Sequence, residues 1–495
     1  MHEPHLLGID AGTTNCKAFL FDATGQIVAS AHAPTPIRRP QAGWAEHDAD
    51  ELWQVVAGLV QHITAASPTR LIAGVAVASM AEAGVLVDAD GRARSPMIAW
   101  FDARPAAWCE RWVATHGREA TYAIAGVAPR PIFGAFKLQW LRDELPDAYR
   151  AATHWLHVAD YLAFRLCGVA ATDYSLATRS MLLDQRNRRW SDELIDRAGL
   201  RRELFAPLQP AGTHLGTVHH AAAAATGLPV GTPVGVGGHD HVCGALAAGV
   251  VAHGACLDSM GTAESAFVAT EAPLLERLTA SAEVNLGSHV VRDRWYLMRG
   301  VSSAGASIAW AGRLLAGTSE PAHVALERLA HAAAPGAGGA LFLPRITGGE
   351  RGGFIGLSAD TSAPQLARAV YEGLAYEWRR CLGLHEAALG ATAGSITVIG
   401  GGARSALWVQ IKADVLGRSL WLPDVSESVA LGAALLAGMA AGVYADAATA
   451  MAQVVRRGRT VEPDLTAHRM HDDRYHRGYL PLHPALMPLH RALTD

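Results

Sequence analysis

No two of the six cysteines lie close enough in sequence to form a Cys-x-x-Cys pair. Cys16, Cys109, Cys167, Cys243, Cys256 and Cys381 are scattered over 495 residues. That spacing argues against a thiolate zinc module, suggests no disulfide framework, and fits a reducing cytoplasm. Long apolar runs are also missing. Stretches such as ALGAALLAGMAAGV are interrupted by glycine and fall short of the ~20 unbroken residues that a membrane span needs. The opening MHEPHLLGID does not show the basic, apolar, small-residue order of a signal peptide. Positive charge is not in excess: 42 Lys and Arg face 46 Asp and Glu, for a formal net charge of -4. No basic stripe marks a nucleic-acid surface, and RRGR at Arg456–Arg459 reads as a solvated segment. Lysine is scarce while alanine and glycine abound, which reads as a bias of genomic composition with little functional content.

What is present is an ordinary globular composition, with half of the residues apolar and 18% charged, in a chain long enough for two large domains. LLGIDAGTTNCKAFL, Leu6–Leu20, reads as strand, Gly-Thr turn and strand, and a further turn at Asp22–Gly25 continues an antiparallel meander. A Rossmann unit would place a helix after the glycine turn. A helix over Asp50–Ala66 is capped by Asp48 or Asp50. Leu71–Met80 is a buried strand, and Val85–Ser95 a hairpin turning at Asp90-Gly91. A helix-rich stretch runs from Trp108 to about Leu204. Pro233–Val251 then gives strand, glycine turn and helix. ACLDSMGTAESAFVAT, Ala255–Thr270, repeats the opening layout of apolar strand, acid, Gly-Thr turn and strand, which points to duplication. Later come helices at Ser303–Leu315 and Ala363–Ala388, a strand at Ser395–Ile399, glycines at 400–402, a helix at Leu407–Leu416 and an alanine-rich helix at Val429–Ala441.

Several of these features suit phosphate chemistry. In DAGTT, Asp10–Thr14, glycine lets backbone amides approach phosphate oxygens and the threonines add donors. Asp10 beside that turn would repel phosphate unless magnesium lay between, so it suits a magnesium-side ligand acting through water. Lys17 could neutralise phosphate charge. A plain hairpin turn is the alternative. Gly261–Glu264 repeats the turn. Asp240, in GGHDHVCGAL, sits between a strand and a helix N-terminus that favours negative charge, where a carboxylate can accept a hydroxyl proton during phosphoryl transfer. Its alternatives are a helix cap or, with His239 and His241, a metal site, but adjacent side chains diverge. The glycines of GGGARSALWVQIKADVLG, Gly400–Gly417, leave a flat surface for a planar base.

Taken in order, these segments resemble the FGGY carbohydrate kinases of the actin-like, ribonuclease-H-like ATPase superfamily. Besides the motifs above, GWAEHDADELW (Gly43–Trp53), PMIAWFDAR (Pro96–Arg104) and FLPRITGGER (Phe342–Arg351) resemble the family's "W-E-Q-D-P", "P-I-W-D-R" and "LP-GER" segments, and Ser405-x-x-Trp408 its "S-x-x-W". The resemblance implies an α/β chain of two ribonuclease-H-like domains, 1–249 and 250–495, with ATP and magnesium in a cleft between them. It maps the base to Asp240, the magnesium role to Asp10, the phosphate loops to Gly12, Thr13, Thr14 and Lys17 and to Gly261 and Thr262, and the adenosine motif to Gly401, Gly402, Ala403 and Ser405. It places Met80, Ala81, Glu82, Trp100 and Asp102 at the sugar, with Arg104 in the same region.

Glu82 stands where xylulose kinases carry the His of "Q-M-H-G" and glycerol kinases the Glu of "Q-R-E-T"; autoinducer-2 kinases carry "S-M-R-E-G". A carboxylate accepts hydrogen bonds from neighbouring hydroxyls, which suits a neutral polyhydroxylated substrate; a surface hairpin glutamate is the alternative. Trp100 could pack on a sugar face or simply fill core. The resemblance thus implies a cytoplasmic kinase, commonly a homodimer, acting on a ketopentose such as xylulose or else on a sugar alcohol or autoinducer-2-like compound, with no nucleic-acid or membrane partner. An actin-like ATPase that switches on a protein partner, and an idle sugar sensor, are the competing classes.

Overall fold

A computed structural model describes the chain except for residues 1–2, 68–70, 262–263, 283, 302, 318–319, 347–350, 455–456 and 495. Thr262, part of the second expected phosphate loop, and 347–350 of the FLPRITGGER segment therefore lie outside the described residues. The chain forms two compact units, each discontinuous in sequence. The first comprises Met1–Val251, Thr270–Tyr296 and Glu427–Val455; the second comprises Ala252–Ala269, Leu297–Ser426 and Arg456–Asp495.

The first unit opens with the expected meander: β1 (Pro4–Ala11), β2 (Asn15–Asp22) and β3 (Ile27–Pro34) pair antiparallel. Helix α1 (Ala49–Ala66) follows. The Asp48 carboxylate caps it by accepting from the amides of Asp50 and Glu51, and Leu52, Val56, Val60 and Ile63 recur at helical spacing on its buried face. Strand β4 (Leu71–Ser79) runs parallel to β1. The expected hairpin over Val85–Ser95 forms: the Asp88 amide donates to the Arg92 carbonyl at 3.1 Å and the Arg94 amide to the Leu86 carbonyl at 2.7 Å, with Val87 bridged to Ala93. Its first arm, β5 (Gly84–Val87), pairs also with β6 (His154–His157). The turn closes as expected, with Gly91 donating to the Asp88 carbonyl. Strands β7 (His214–Thr217) and β8 (Pro233–His239) complete the sheet in the order β7–β8–β4–β1–β2–β3.

The glycine pair before Asp240 is not a turn. Gly237 and Gly238 lie inside β8, which runs directly into helix α2 (Asp240–Ala247). A Cβ on Gly237 would lie 1.7 Å from the Val77 carbonyl oxygen, so glycine serves the close approach of β8 to β4.

In the second unit, β9 (Cys256–Met260) pairs antiparallel with β10 (Glu264–Thr270) and parallel with β12 (Ile396–Ile399). Six strands of its seven-stranded sheet run β11–β10–β9–β12–β13–β14, where β11 is Trp295–Val301, β13 Leu420–Pro423 and β14 Gly458–Val461. In both sheets the unit's first strand has an antiparallel partner on one side and two successive parallel strands on the other (β1–β4–β8 and β9–β12–β13), with an antiparallel edge strand, β7 or β14, beyond them. The weak Gly-Thr repeat in the sequence thus corresponds to a repeated ribonuclease-H-like sheet. Two further helices matter here: α3 (Ala406–Leu416) in the second unit, and α4 (Ser428–Ala440), which joins the first unit and packs on β1 and β4 through alanines.

Candidate active site

In the first unit, the expected groups gather at the ends of β1, β4 and β8. The turn after β1 is closed by the Gly12 amide donating to the Asn15 carbonyl at 3.1 Å, and Thr35 Oγ1 donates to the Gly12 carbonyl at 2.7 Å. Thr13 Oγ1 accepts from Trp100 Nε1 at 3.0 Å. Trp100 is 37% exposed, so it is not core filling; it stands beside the turn with its indole edge anchored. Asp10 and Lys17 face each other across the β1–β2 ladder, and Lys17 Nζ pairs with Glu427 Oε2 at 2.7 Å. Glu427 precedes α4, some four hundred residues away in sequence, and no local pattern announces it.

Asp240 is the first residue of α2 and does not cap it: the N-cap is His239, and no side chain caps the helix. Its side chain keeps 22% exposure. Oδ1 lies 3.1 Å from His239 Nε2 and accepts from the His241 amide at 2.6 Å. Burial opposes ionisation of Asp240. The hydrogen bond from His239 and the positive potential of the two flanking histidines outweigh it and hold the carboxyl down at about 2. An ionised carboxylate only accepts, so His239 carries its proton on Nε2.

Asp10 behaves oppositely. Burial and the nearby charge of Asp240 push its carboxyl up to about 7; Lys17 pulls it down and Glu427 adds to the rise. A folded value above the unfolded 3.8 means that the folded state binds more protons between the two. The penalty is therefore full above about pH 7 and fades as pH falls towards 4. Asp10→Asn is expected to raise the melting temperature at pH 8 without divalent cations, and the gain should shrink at pH 5. A gain that does not depend on pH would show that charge crowding is not its source.

Glu82 is no surface glutamate. It is 6% exposed, and its backbone holds a left-handed φ of 63°, uncommon for a residue with a Cβ. Two groups fix it. Arg179 Nε donates to Glu82 Oε1 at 2.6 Å and a second guanidinium nitrogen pairs with the same oxygen, while Lys137 Nζ donates to the Glu82 carbonyl at 3.1 Å. Burial lowers the Lys137 ammonium to about 7, against the pull of Glu82 and Asp102. Arg179 also lies over the Phe133 ring, 5.0 Å from its centroid. Sequence reading missed Arg179 and Lys137. The available signal, for Arg179, was a lone charge inside an otherwise uncharged segment, SLATRSML. Met80 and Ala81 are buried, and the Met80 amide donates to the Ala11 carbonyl at 3.0 Å, tying this segment to the turn.

The expected sugar contact at Asp102 is not supported by its surroundings. Its side chain is fully buried. Oδ2 accepts from the Ala45 amide at 2.6 Å, and Oδ1 accepts from the backbone and Nε of Arg104. Arg104 pairs further with Glu46 at 2.9 Å, with its guanidinium 3.8 Å from the Trp44 ring centroid. Asp102 and Arg104 thus form an internal clamp that ties this segment to Trp44–Glu46.

In the second unit, β12 is followed by Gly400, which has a φ of 96°, and by a single turn at Gly401–Arg404 that includes Ala403. A Cβ on Gly402 would lie 2.7 Å from the Trp408 ring and 2.9 Å from Met260 Cβ, so the motif rests flat on these two side chains. Ser405 is the N-cap of α3: Oγ accepts from the Trp408 amide at 3.1 Å and donates to Glu327 Oε1 at 2.8 Å. The Ser-x-x-Trp pattern is thus a cap with its packing partner, and the Ser405 hydroxyl is already engaged. Gly261 sits at the end of β9, beside Met260.

Comparison with known proteins agrees with this arrangement. Residues 5–247 match the FGGY family of carbohydrate kinases, N-terminal domain, and residues 256–441 its C-terminal domain. The chain is 31% identical over 444 residues to the xylulose kinase of Escherichia coli (strain K12), covering 88% of this chain and 90% of that one. It is 30% identical over 462 residues to the L-fuculokinase of Escherichia coli O157:H7, covering 92% and 96%. The crystal structure of xylulose kinase from Rhodospirillum rubrum superposes with a TM-score of 0.90 at 28% identity, over 98% of this chain and 100% of that one. No helix among the described residues is long and apolar enough to cross a membrane. With the repeated sheet, these matches establish a carbohydrate kinase that takes its phosphoryl group from ATP, and the chain belongs to the FGGY family.

Proposed function

We propose that this kinase phosphorylates a ketopentose such as xylulose, with Asp240 as general base. The observation that carries the reading is the Asp240 carboxylate, held ionised at a helix N-terminus, with Oδ1 already engaged by His239 and the His241 amide. Oδ2 is then the oxygen that takes the proton as the sugar hydroxyl attacks the terminal phosphorus. We assign catalysis and sugar binding to 1–249 and adenosine binding to 250–495. Amides of Gly12–Thr14, with Lys17, face the phosphates, and the surface at Gly401–Ala403 faces the base. Glu82, held by Arg179 in a pair of zero net charge, offers a carboxylate to sugar hydroxyls, and Trp100 borders the same region. This supports a neutral polyhydroxylated substrate over a sugar acid.

The residues also fit a magnesium ion. Two carboxylates that raise each other's cost of ionisation, Asp10 and Asp240, offer the hard oxygen donors magnesium takes. No cluster of three His, Cys, Asp or Glu side chains placed to hold a metal occurs among the described residues, consistent with an ion held largely by phosphate and water. Asp10 would hold it, and its charge would offset that of the phosphates.

A screen of ketopentoses, sugar alcohols and deoxyketoses that follows ADP release tests the substrate. A ketopentose, xylulose foremost, is expected to give the highest kcat/KM. A pentitol, or an autoinducer-2-like compound, turning over tenfold better would replace the ketopentose reading.

A further inference from the structure

Of the 42 lysines and arginines, only three are lysine: Lys17, Lys137 and Lys412. Arginine serves nearly everywhere a cation is needed, so a retained lysine marks a place where a compact ammonium with three donors is required. Lys17 and Lys137 belong to the site in the first unit. Lys412, on α3 of the second unit, takes no part in that site.

Its side chain is completely buried, as are those of Asp258 on β9 and Glu264 on β10. Nζ pairs with Asp258 Oδ2 and with Glu264 Oε1, and lies 5.2 and 5.3 Å from the ring centroids of Trp378 and Trp408. Two acids face one base, and the outer oxygen Glu264 Oε2 is buried without a hydrogen-bond partner among the described residues. Such a cluster is a poor source of stability, because desolvating three charges offsets most of what their attraction returns. Its position gives it another use. Asp258 and Glu264 flank the hairpin end at Gly261, and Met260 and Trp408 are the two side chains on which Gly402 rests. The ammonium joins the hairpin, from both of its arms, to the helix that begins at the Ser405 cap.

We propose that Lys412 is a positioning residue for nucleotide binding: by drawing Asp258 and Glu264 onto α3, it sets the hairpin end at Gly261 in fixed relation to the Gly400–Ser405 surface. The proposal rests on the reading that this unit binds ATP. An arginine would not substitute, since a planar guanidinium is larger than the space between two carboxylates and two indoles.

The test compares Lys412→Met with the all-apolar triple variant Asp258→Leu, Glu264→Met, Lys412→Met, which leaves no unpaired charge should the single variant fail to fold. Steady-state KM for ATP and for the sugar are measured with melting temperature, and Gly402→Val serves as a reference for damage to the adenosine surface. The triple variant is expected to fold and to raise KM for ATP about tenfold or more, the cost of a small misplacement, with KM for the sugar within twofold of wild type. An unchanged KM for ATP in the triple variant, while Gly402→Val raises it, overturns the proposal. So does a parallel rise in both KM values, which marks general damage. If Gly402→Val also leaves KM for ATP unchanged, the assignment of ATP to this unit fails and the proposal falls with it.

Discussion

Replacing Asp240 with asparagine is expected to lower kcat by a factor of about 10² or more while ATP binds as before. Asparagine is nearly isosteric and still accepts through its amide oxygen from His239 and the His241 amide, so α2 and the end of β8 should keep their geometry. What disappears is a group able to take a proton. The loss should appear in kcat, because the sugar hydroxyl must be deprotonated as it attacks, and a neutral amide cannot do this. ATP affinity, followed by titration of a fluorescent nucleotide, should not weaken, since a negative charge near the phosphates is removed. Near-normal turnover in the variant would remove Asp240 from its proposed role.

The second large effect concerns the pair beneath the proposed sugar site. Arg179→Met should destabilise the protein by about 3–5 kcal/mol, the range for breaking a buried ion pair by removing one partner. Glu82 would be left 6% exposed with its counter-charge gone and its backbone still in the left-handed region. Adding Glu82→Gln to that variant removes the uncompensated charge and should recover most of the stability, while KM for the sugar stays raised because the pinned carboxylate is gone. Urea unfolding of the wild type, Arg179→Met and the double variant, with sugar kinetics on each, separates the two consequences. A single-variant loss below about 1 kcal/mol would show the pair to be solvated and would weaken the case for Glu82 as a preorganised contact.

How much of this was legible in advance depends on the range of the interactions involved. The meander at Leu6–Pro34, the helix capped by Asp48 and the repeated Gly-Thr turn rest on local patterns: strand periodicity, a capping carboxylate, glycine and threonine at a turn. Long-range partners are what such patterns leave out. The Val85–Ser95 hairpin forms as its turn chemistry requires, but its further pairing with His154–His157 has no local signal. The glycines before Asp240 look like a turn, yet they lie inside a strand, where Gly237 serves an approach to Val77. Lysine scarcity reads as compositional bias with little functional content; the structure adds where the three lysines stand, one facing Asp10, one donating to the Glu82 carbonyl and one in the second unit's buried cluster.

By itself, the sequence determined the class of chemistry. Acid, glycine and hydroxyl residues in two phosphate-type turns, an aspartate between strand and helix, and the ordered motifs of the FGGY family need no coordinates to be recognised, because each is a short-range requirement of backbone conformation or phosphate contact. Only the tertiary structure decided what each charge does. Glu82 is paired with Arg179, Asp102 is consumed by Arg104, Lys17 is met by Glu427 and Ser405 by its own helix. The reason is that a side chain's partner and its exposure depend on elements brought together from far along the chain, and those two quantities decide whether a carboxylate braces the fold or is left for a substrate.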